Sequence, residues 1–328
     1  RVQSKSVNKV YILTRKINEA DETPKDFKKI DLIRFNAPNM FVFNLNIFRY
    51  IFKYRTKVKL IHVHSLSSVA FTSLFLGLIL RIKVLIKITR IGEGSQPELV
   101  NNSIFKKKIL YFFNRFVNLE MICLTTESQI YINQLFPKIK TCLISNGIEV
   151  KNKIPKQNIN KEITFIFVSR LIKRKNVKNS IKLMLENLNY NYKIIVCGLG
   201  EELDDIVLLA KKNPKIIKVM GQLDENALEK LYNKSSFFVQ NSVNEGLSNS
   251  FLESLSMNVI PIVSKNKFYF DLSRKYLLPL FFDEFLKLNH DEVLENYSTH
   301  LKNVNEMVKK EFDIIQTKNK LHEKYFSS

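Results

Sequence analysis

The chain has 328 residues, enough for two domains of ordinary size. Apolar residues make up 45% and charged residues 25%, globular proportions that exclude disorder as the default reading. The formal net charge of +21 favours polyanionic partners such as nucleic acid, an anionic membrane or phosphate-bearing substrates, although a chain rich in Lys, Asn, Ile and Phe and free of Trp is also what AT-rich coding produces without any partner.

In chain order, the first half carries short apolar runs at Lys9–Leu13, Ile30–Ile33, Leu60–His64, Val84–Ile88, Met121–Leu124 and Thr141–Ile144. The second half repeats the theme at Ile163–Val168, Lys193–Cys197, Ile216–Met220, Phe237–Gln240 and Val259–Val263. Most are near-continuous rather than alternating, as expected of strands covered on both faces in a parallel sheet. Stretches of helical length lie between them. Val177–Leu188 sets Val177, Ile181, Met184, Leu185 and Leu188 on one face, and Asn226–Asn233 does the same with Leu228 and Leu231. Strands alternating with helices predict an α/β class built from βαβ units, doubly wound. The longest apolar stretch, Leu66–Leu80, is too short and too rich in Ser and Thr for a membrane span and predicts a buried helix.

The polar, basic segment Lys151–Lys161 follows the turn signal Asn146-Gly147 and reads as a linker. The predicted division is a first domain over 1–152, a second over 153–310 and a carboxyl-terminal helix over 311–328, with Phe312–Phe326 amphipathic and exposed to solvent. Cys123, Cys142 and Cys197 sit in apolar runs at spacings that fit neither a metal site nor a disulfide framework, so reduced core thiols and a cytoplasmic setting are expected. No secretory leader opens the sequence, and Arg1 in place of Met suggests a fragment.

Three segments carry candidate chemistry. Val168-Ser169-Arg170-Leu171-Ile172-Lys173-Arg174-Lys175-Asn176 runs from a strand to a helix, so Arg170 and Lys175 project from one loop and suit a diphosphate at a helix N-terminus. A solvated basic loop is the plainer alternative. Val196-Cys197-Gly198-Leu199-Gly200 leaves a strand through Gly-x-Gly without the third Gly of a dinucleotide fingerprint, so a tight turn competes with phosphate contact at Gly198. Asn244-Glu245-Gly246-Leu247-Ser248-Asn249-Ser250-Phe251-Leu252-Glu253 opens a helix after a strand, placing two carboxylates where sugar hydroxyls could donate to them. The alternatives there are an exposed loop acid at Glu245 and a Ser250-x-x-Glu253 capping box.

Taken in order, these motifs resemble the donor half of family four glycosyltransferases. Ser-Arg-Leu with Lys175-Asn176, Gly198-Leu199-Gly200, Gly221, Leu231-Tyr232, Gln240-Asn241-Ser242, Glu245-Gly246, Glu253 and Pro261 fall in the family's sequence, with its Glu-x7-Glu spacing. The resemblance implies a GT-B fold: two Rossmann-like, doubly wound domains facing across a cleft. It implies that Arg170 and Lys175 hold the donor diphosphate and that Glu253 takes the ribose hydroxyls. Glu245 would contact the transferred sugar beside the amides of Gly246 and Leu247. It further implies transfer with retention of configuration, with no metal or other cofactor.

The first half resembles the family more weakly, through Leu60-Ile61-His62-Val63-His64 and Ile144-Ser145-Asn146-Gly147-Ile148. The family's Gly-rich loop after its first strand is missing, and the expectation is that the chain starts beyond it. Lys87-Ile88-Thr89-Arg90-Ile91-Gly92-Glu93-Gly94-Ser95 lacks the usual His; Arg90, Gly92, Gly94 and His64 are the acceptor-side candidates, with strand-end packing as the competing role of the histidine. Residues 47–59 and 104–117 mix aromatics with Lys and Arg. As helices they fit either an anionic membrane surface or ordinary packing with a wet basic face.

The expected function is transfer of a sugar from a nucleotide diphosphate to a polysaccharide or lipid-linked glycan acceptor. The expected place is the cytoplasm, peripheral at the inner face of the membrane. A sugar-nucleotide epimerase of the same fold is one alternative. A non-catalytic basic protein that binds membrane or nucleic acid is another, though no helix-turn-helix, zinc finger or RNA-recognition signature points to specific nucleic acid.

Overall fold

The computed structural model describes residues 10–15, 30–149, 162–243 and 245–326. The predicted linker at Lys151–Lys161, together with Lys9 and Asn244, lies outside them. The chain divides into two compact units, residues 1–145 with 314–328 and residues 146–313.

The first unit begins with β1 (Val10–Arg15) and β2 (Ile30–Phe35), parallel and paired with each other. There follow α1 (Met40–Lys53), β3 (Leu60–His64), α2 (Ser68–Leu80), β4 (Lys83–Ile88), α3 (Gln96–Asn101), α4 (Ile104–Phe116), β5 (Leu119–Cys123), α5 (Thr126–Leu135) and β6 (Lys140–Leu143). Strands β3 to β6 form a parallel sheet in sequence order. Its central strand β5, Leu-Glu-Met-Ile-Cys, is buried at every residue, which is why no alternation shows in its sequence. Helix α2 lies close on the sheet because Gly77 carries no side chain: a Cβ there would meet Val84 at 2.6 Å. Side chains suited to capping start the helices, Asn39 for α1, Ser95 for α3 and Ser103 for α4, each accepting from the amide three residues on.

The second unit holds β7 (Ile163–Val168), a 3-10 turn (Lys173–Lys175), α6 (Val177–Asn187), β8 (Tyr192–Cys197), α7 (Leu203–Lys212), β9 (Ile217–Gly221) and α8 (Glu225–Tyr232). It continues with β10 (Phe237–Gln240), α9 (Asn249–Ser256), β11 (Ile260–Val263), α10 (Lys267–Tyr276), β12 (Leu280–Phe281), α11 (Phe282–Phe285) and α12 (His290–Glu311). All six strands are parallel, in the order β12-β11-β10-β7-β8-β9. Counted from β7 this is the 3-2-1-4-5-6 arrangement of the doubly wound dinucleotide-binding fold. Strand β12 escapes the sequence pattern because two residues are too few to show a period.

The last helix, α13 (Ile314–Phe326), belongs to the first unit. It has no buried residue, in keeping with an amphipathic reading, yet it is docked. Leu321 and Tyr325 pack against Leu85, Ile122 and Ile144, and Lys324 Nζ reaches the buried carboxylate of Glu120 at 2.6 Å. Lys83 Nζ donates to the carbonyl of Lys324 at 2.7 Å.

The sequence reading of 47–59 as one basic helix is corrected. The helix ends at Lys53, residues 54–57 turn, and Leu60 already pairs with Lys83 in the sheet. Tyr54, whose ring lies 4.7 Å from Tyr50 and stacks on Tyr11, closes the helix through its amide to the carbonyls of Phe52 and Tyr50. Residues 104–117 are helical almost throughout, as α4. No helix among the described residues is long and apolar enough to cross a membrane. The three thiols are pushed up by burial, Cys123 and Cys142 to about 12 and Cys197 to about 11, so none is a thiolate near neutral pH.

His62 links stability to pH. Its Nδ1 is hydrogen-bonded to the Tyr325 hydroxyl at 2.8 Å, and its Nε2 is buried without a partner among the described residues. Burial first, then the positive charge of His64 and Lys87, lowers its pKa from 6.5 to about 3. Above pH 6.5 neither the folded nor the unfolded chain holds this proton. As the pH falls from 6.5 toward 3, only the unfolded chain takes it up, so stability is lost across that window. Between pH 7 and 5 the first unit should lose roughly 2 kcal/mol through this group. Denaturant unfolding of the wild type and His62→Gln at both pH values checks this; an equal pH dependence in the variant would refute it.

Candidate functional site

In an open parallel sheet, adjacent loops leave in opposite directions where the strand order reverses, and a crevice opens at the carboxyl ends. In the second unit the reversal lies between β7 and β10, which pair through Phe165 with Phe237 and Ile166 with Phe238. The loop after β7 carries Arg170 and Lys175. The loop after β10 carries Glu245, Gly246 and Leu247. Topology therefore brings together two motifs about seventy residues apart in sequence.

The contact between them is direct. Lys175 Nζ donates to Glu245 Oε2, and Arg174 Nη1 lies 3.6 Å from the same oxygen. These side chains are largely enclosed, with 11%, 15% and 24% of Lys175, Glu245 and Arg174 exposed. Arg170 is exposed, and its guanidinium has no partner among the described residues. Two of the loop's four cations thus meet one carboxylate, an excess of positive charge. It also precedes the N-terminus of α6, where amide groups and the helix dipole favour an anion. Asn176, left-handed at φ 56°, makes the turn into α6.

Gly198 and Gly200 have a clear local role. The backbone after β8 lies against the Arg170 loop, with Ser169 N donating to Cys197 O at 3.2 Å and Leu171 N to Leu199 O at 2.8 Å. A Cβ on Gly198 would sit 1.8 Å from the Ser169 carbonyl oxygen, and one on Gly200 2.2 Å from that of Leu171. Gly198 also has φ +139°, where L side chains are rare. These glycines let a second strand end buttress the cationic loop.

The Glu245 loop is held from behind by Asn266 and Tyr269, which sequence reasoning missed, and by Gln240 and Ser248. Asn266 Nδ2 donates to the Glu245 carbonyl at 3.1 Å, and the Tyr269 hydroxyl donates to that of Gly246 at 3.3 Å. Gln240 Nε2 donates to the Tyr269 hydroxyl at 2.9 Å, and Ser248 Oγ donates to Gln240 Oε1. Tyr269 is fully buried; desolvation first, then Glu245, raises its pKa and keeps the hydroxyl protonated as a donor. Leu247 buries its side chain, and a Cβ on Gly246 would meet nothing within 4 Å. The amides of Gly246 and Leu247 meet no acceptor among the described residues.

Glu253 lies on α9, and the capping-box alternative is corrected. The cap is Ser248, whose hydroxyl accepts from Phe251 N at 3.1 Å, so Ser250 already lies inside the first turn and Glu253 is free of capping duty. The Glu253 side chain is exposed overall. Its carboxyl pKa is nonetheless raised, by displaced water first and by Glu225 second, against a hydrogen bond from Tyr232. Arg174 was unmarked because it stands in the run Lys173-Arg174-Lys175, where composition cannot tell which cation turns inward.

The acceptor-side candidates share the carboxyl edge of the first unit's main sheet. His64 ends β3, exposed, with its ring 5.1 Å from that of His62. Burial first, then Lys87, lowers its pKa. The loop after β4 is a tight turn. Arg90 Nη2 donates to Glu93 O at 2.7 Å, and Gly94 N donates to Glu98 Oε2 at 2.6 Å. Gly92 and Gly94 have φ of +82° and +65°, which explains glycine at both. Arg90 Nε is buried without a partner among the described residues.

Residues 149–277 match the family model described as glycosyl transferases, group 1. No curated protein sequence matches the chain. Among solved structures, the chain is similar to Anabaena HepE in complex with UDP-glucose, at 13% identity and TM-score 0.72, over 97% of this chain and 100% of that one. It is similar to sucrose-phosphate synthase from Thermosynechococcus elongatus, at 16% and 0.74, over 97% and 88%. It is also similar to WaaG, a glycosyltransferase involved in lipopolysaccharide biosynthesis, at 12% and 0.65, over 100% and 93%. Identities this low carry the fold alone. That fold is GT-B, and the segment matched by the family model contains every donor-side candidate.

Proposed function

We propose that the chain is a retaining glycosyltransferase that moves a sugar from a nucleotide diphosphate, UDP in the first instance, to a polysaccharide or lipid-linked glycan. The observation that carries this reading is the Lys175–Glu245–Arg174 cluster at the reversal point of the second sheet. Lys175 is held by the carboxylate of Glu245. A diphosphate offers it and Arg170 a more negative partner, with charge-assisted bonds that strengthen as the leaving phosphate gains charge. In this reading Glu245, released from Lys175, accepts from a sugar hydroxyl beside the amides of Gly246 and Leu247, and Glu253 accepts from the ribose. Side-chain cations and the dipole of α6 take the part that a metal plays elsewhere, so no metal is required.

The choice of UDP is supported by the UDP-glucose complex of HepE, and the glycan acceptor by the role of WaaG in lipopolysaccharide biosynthesis. Work at the cytoplasmic face, with α4 against an anionic membrane, fits the cations of that helix. A sugar-nucleotide epimerase would need no acceptor, and no observation favours it.

A thermal-shift screen against UDP, GDP, CDP and dTDP tests the donor site, with Arg170→Ala and Glu253→Ala as controls. At a hundredfold its dissociation constant UDP should stabilise the protein by about 2.7 kcal/mol, and both controls should lose the shift. No shift with any of the four would sink the reading.

A further inference from the structure

A cavity outside the donor-side cluster lies in the first unit. It is an open groove of about 620 Å³, within the size range of ligand pockets. Helices α1, α2, α3 and α4 wall it with Leu45, Phe48, Phe71, Phe75, Leu99 and Phe113. Several apolar side chains at or beside it face solvent, including Phe41 at 77%, Leu99 at 46% and Phe75 at 44%. Apolar surface kept open on this scale is costly and usually marks a binding face.

Charge indicates the occupant. Between Asp31 and Glu93 the sequence has no carboxylate and ten Lys or Arg, and α4 has Lys106, Lys107, Lys108 and Arg115 with no acid. Lys106 itself lines the groove. The acid of α3, Glu98, is engaged by the amide of Gly94. An apolar slot whose one charged lining residue is the cation Lys106, on a helix with four cations and no acid, fits an anionic amphiphile and disfavours a partner helix that presents basic residues.

Position ties the groove to the chemistry. Leu66, Ser67 and Ser68 line it directly after His64, at the carboxyl end of β3. Gln96 lines it directly after the Arg90–Ser95 turn, beyond the carboxyl end of β4. One end of the groove therefore opens at the sheet edge that carries the acceptor-side residues.

We propose that this groove holds the hydrocarbon chain of a phosphate-headed lipid, with the phosphate at Lys106, and that this lipid carries the acceptor. The binding of lipid stands on the groove alone; its part as acceptor rests on the transferase reading.

The test is calorimetric titration of the full chain with dodecyl phosphate below its micellar concentration, beside dodecyl maltoside and inorganic phosphate. Dodecyl phosphate should bind at least tenfold more tightly than either. Phe75→Glu, at a position exposed enough to tolerate the change, and Lys106→Glu should each weaken it at least tenfold, while the UDP shift stays intact in both. Equal binding of dodecyl maltoside, competition by inorganic phosphate, or unchanged affinity in Phe75→Glu would overturn the proposal. So would sedimentation of the wild type as a dimer that Phe75→Glu converts to a monomer, which would assign the groove to a second copy. UDP binding with no lipid binding sinks this inference and leaves the transferase reading standing; lipid binding without UDP binding does the reverse.

Discussion

Lys175→Ala is expected to lower catalytic efficiency toward a nucleotide-sugar donor by one to two decades. The ammonium is enclosed, carries one of the charges that a diphosphate would meet, and is already fixed in place by Glu245. A charge-assisted hydrogen bond contributes about 1.5–3 kcal/mol, which corresponds to that loss. Arg174, 3.6 Å from the same carboxylate, keeps Glu245 from being left without a cation, so the protein should fold and the effect should be read in function. Arg170→Ala should cost a similar amount in UDP affinity with less change in stability, since Arg170 is exposed and its guanidinium makes no bond among the described residues. Steady-state kinetics with UDP titration separates the two. Full activity in Lys175→Ala would remove the cluster from the mechanism.

Gly198→Ala should be the most damaging single substitution of the second unit. The new Cβ would fall 1.8 Å from the Ser169 carbonyl oxygen, a backbone atom that cannot swing aside, and φ +139° would strain any L residue. Overpacking and backbone strain each cost about 1–3 kcal/mol, so a loss of roughly 3–5 kcal/mol is expected. For a unit of this size that lowers the melting temperature on the order of 10 °C. The displaced part is the Arg170 loop, so UDP affinity should fall with stability. Gly246→Ala is the contrast: its Cβ would meet nothing within 4 Å, and the fold should hardly notice. Melting curves of the two variants decide the matter, and equal curves would disprove the argument.

Much of the fold was legible in the sequence because burial on both faces writes itself as continuous apolar runs. Leu60–His64, Phe237–Gln240 and Ile163–Val168 were placed to the residue, and the other named runs to within two residues. The basic loop after one strand and the acid after another were likewise local, as was the eight-residue step from Glu245 to Glu253.

Other features depend on tertiary placement. Which of Lys173, Arg174 and Lys175 turns toward Glu245 follows from the 3-10 turn and left-handed Asn176, conformations that a basic run does not encode. That Gly198 shields Ser169, and that Asn266 and Tyr269 brace the Glu245 loop, follows from contacts across neighbouring strand ends. The docking of α13 depends on pairs 204 and 263 residues apart, Lys324 with Glu120 and Tyr325 with His62.

The sequence by itself determined the α/β alternation and the loops that carry the basic run Lys173–Lys175 and the acid Glu245. Local burial and turn chemistry act over a few residues, and so leave a mark in the order of residues. The tertiary structure alone decided the sheet order that sets Lys175 against Glu245 and the open apolar groove beside the Arg90 turn. Those come from elements distant in the chain, and no local pattern records which of them meet.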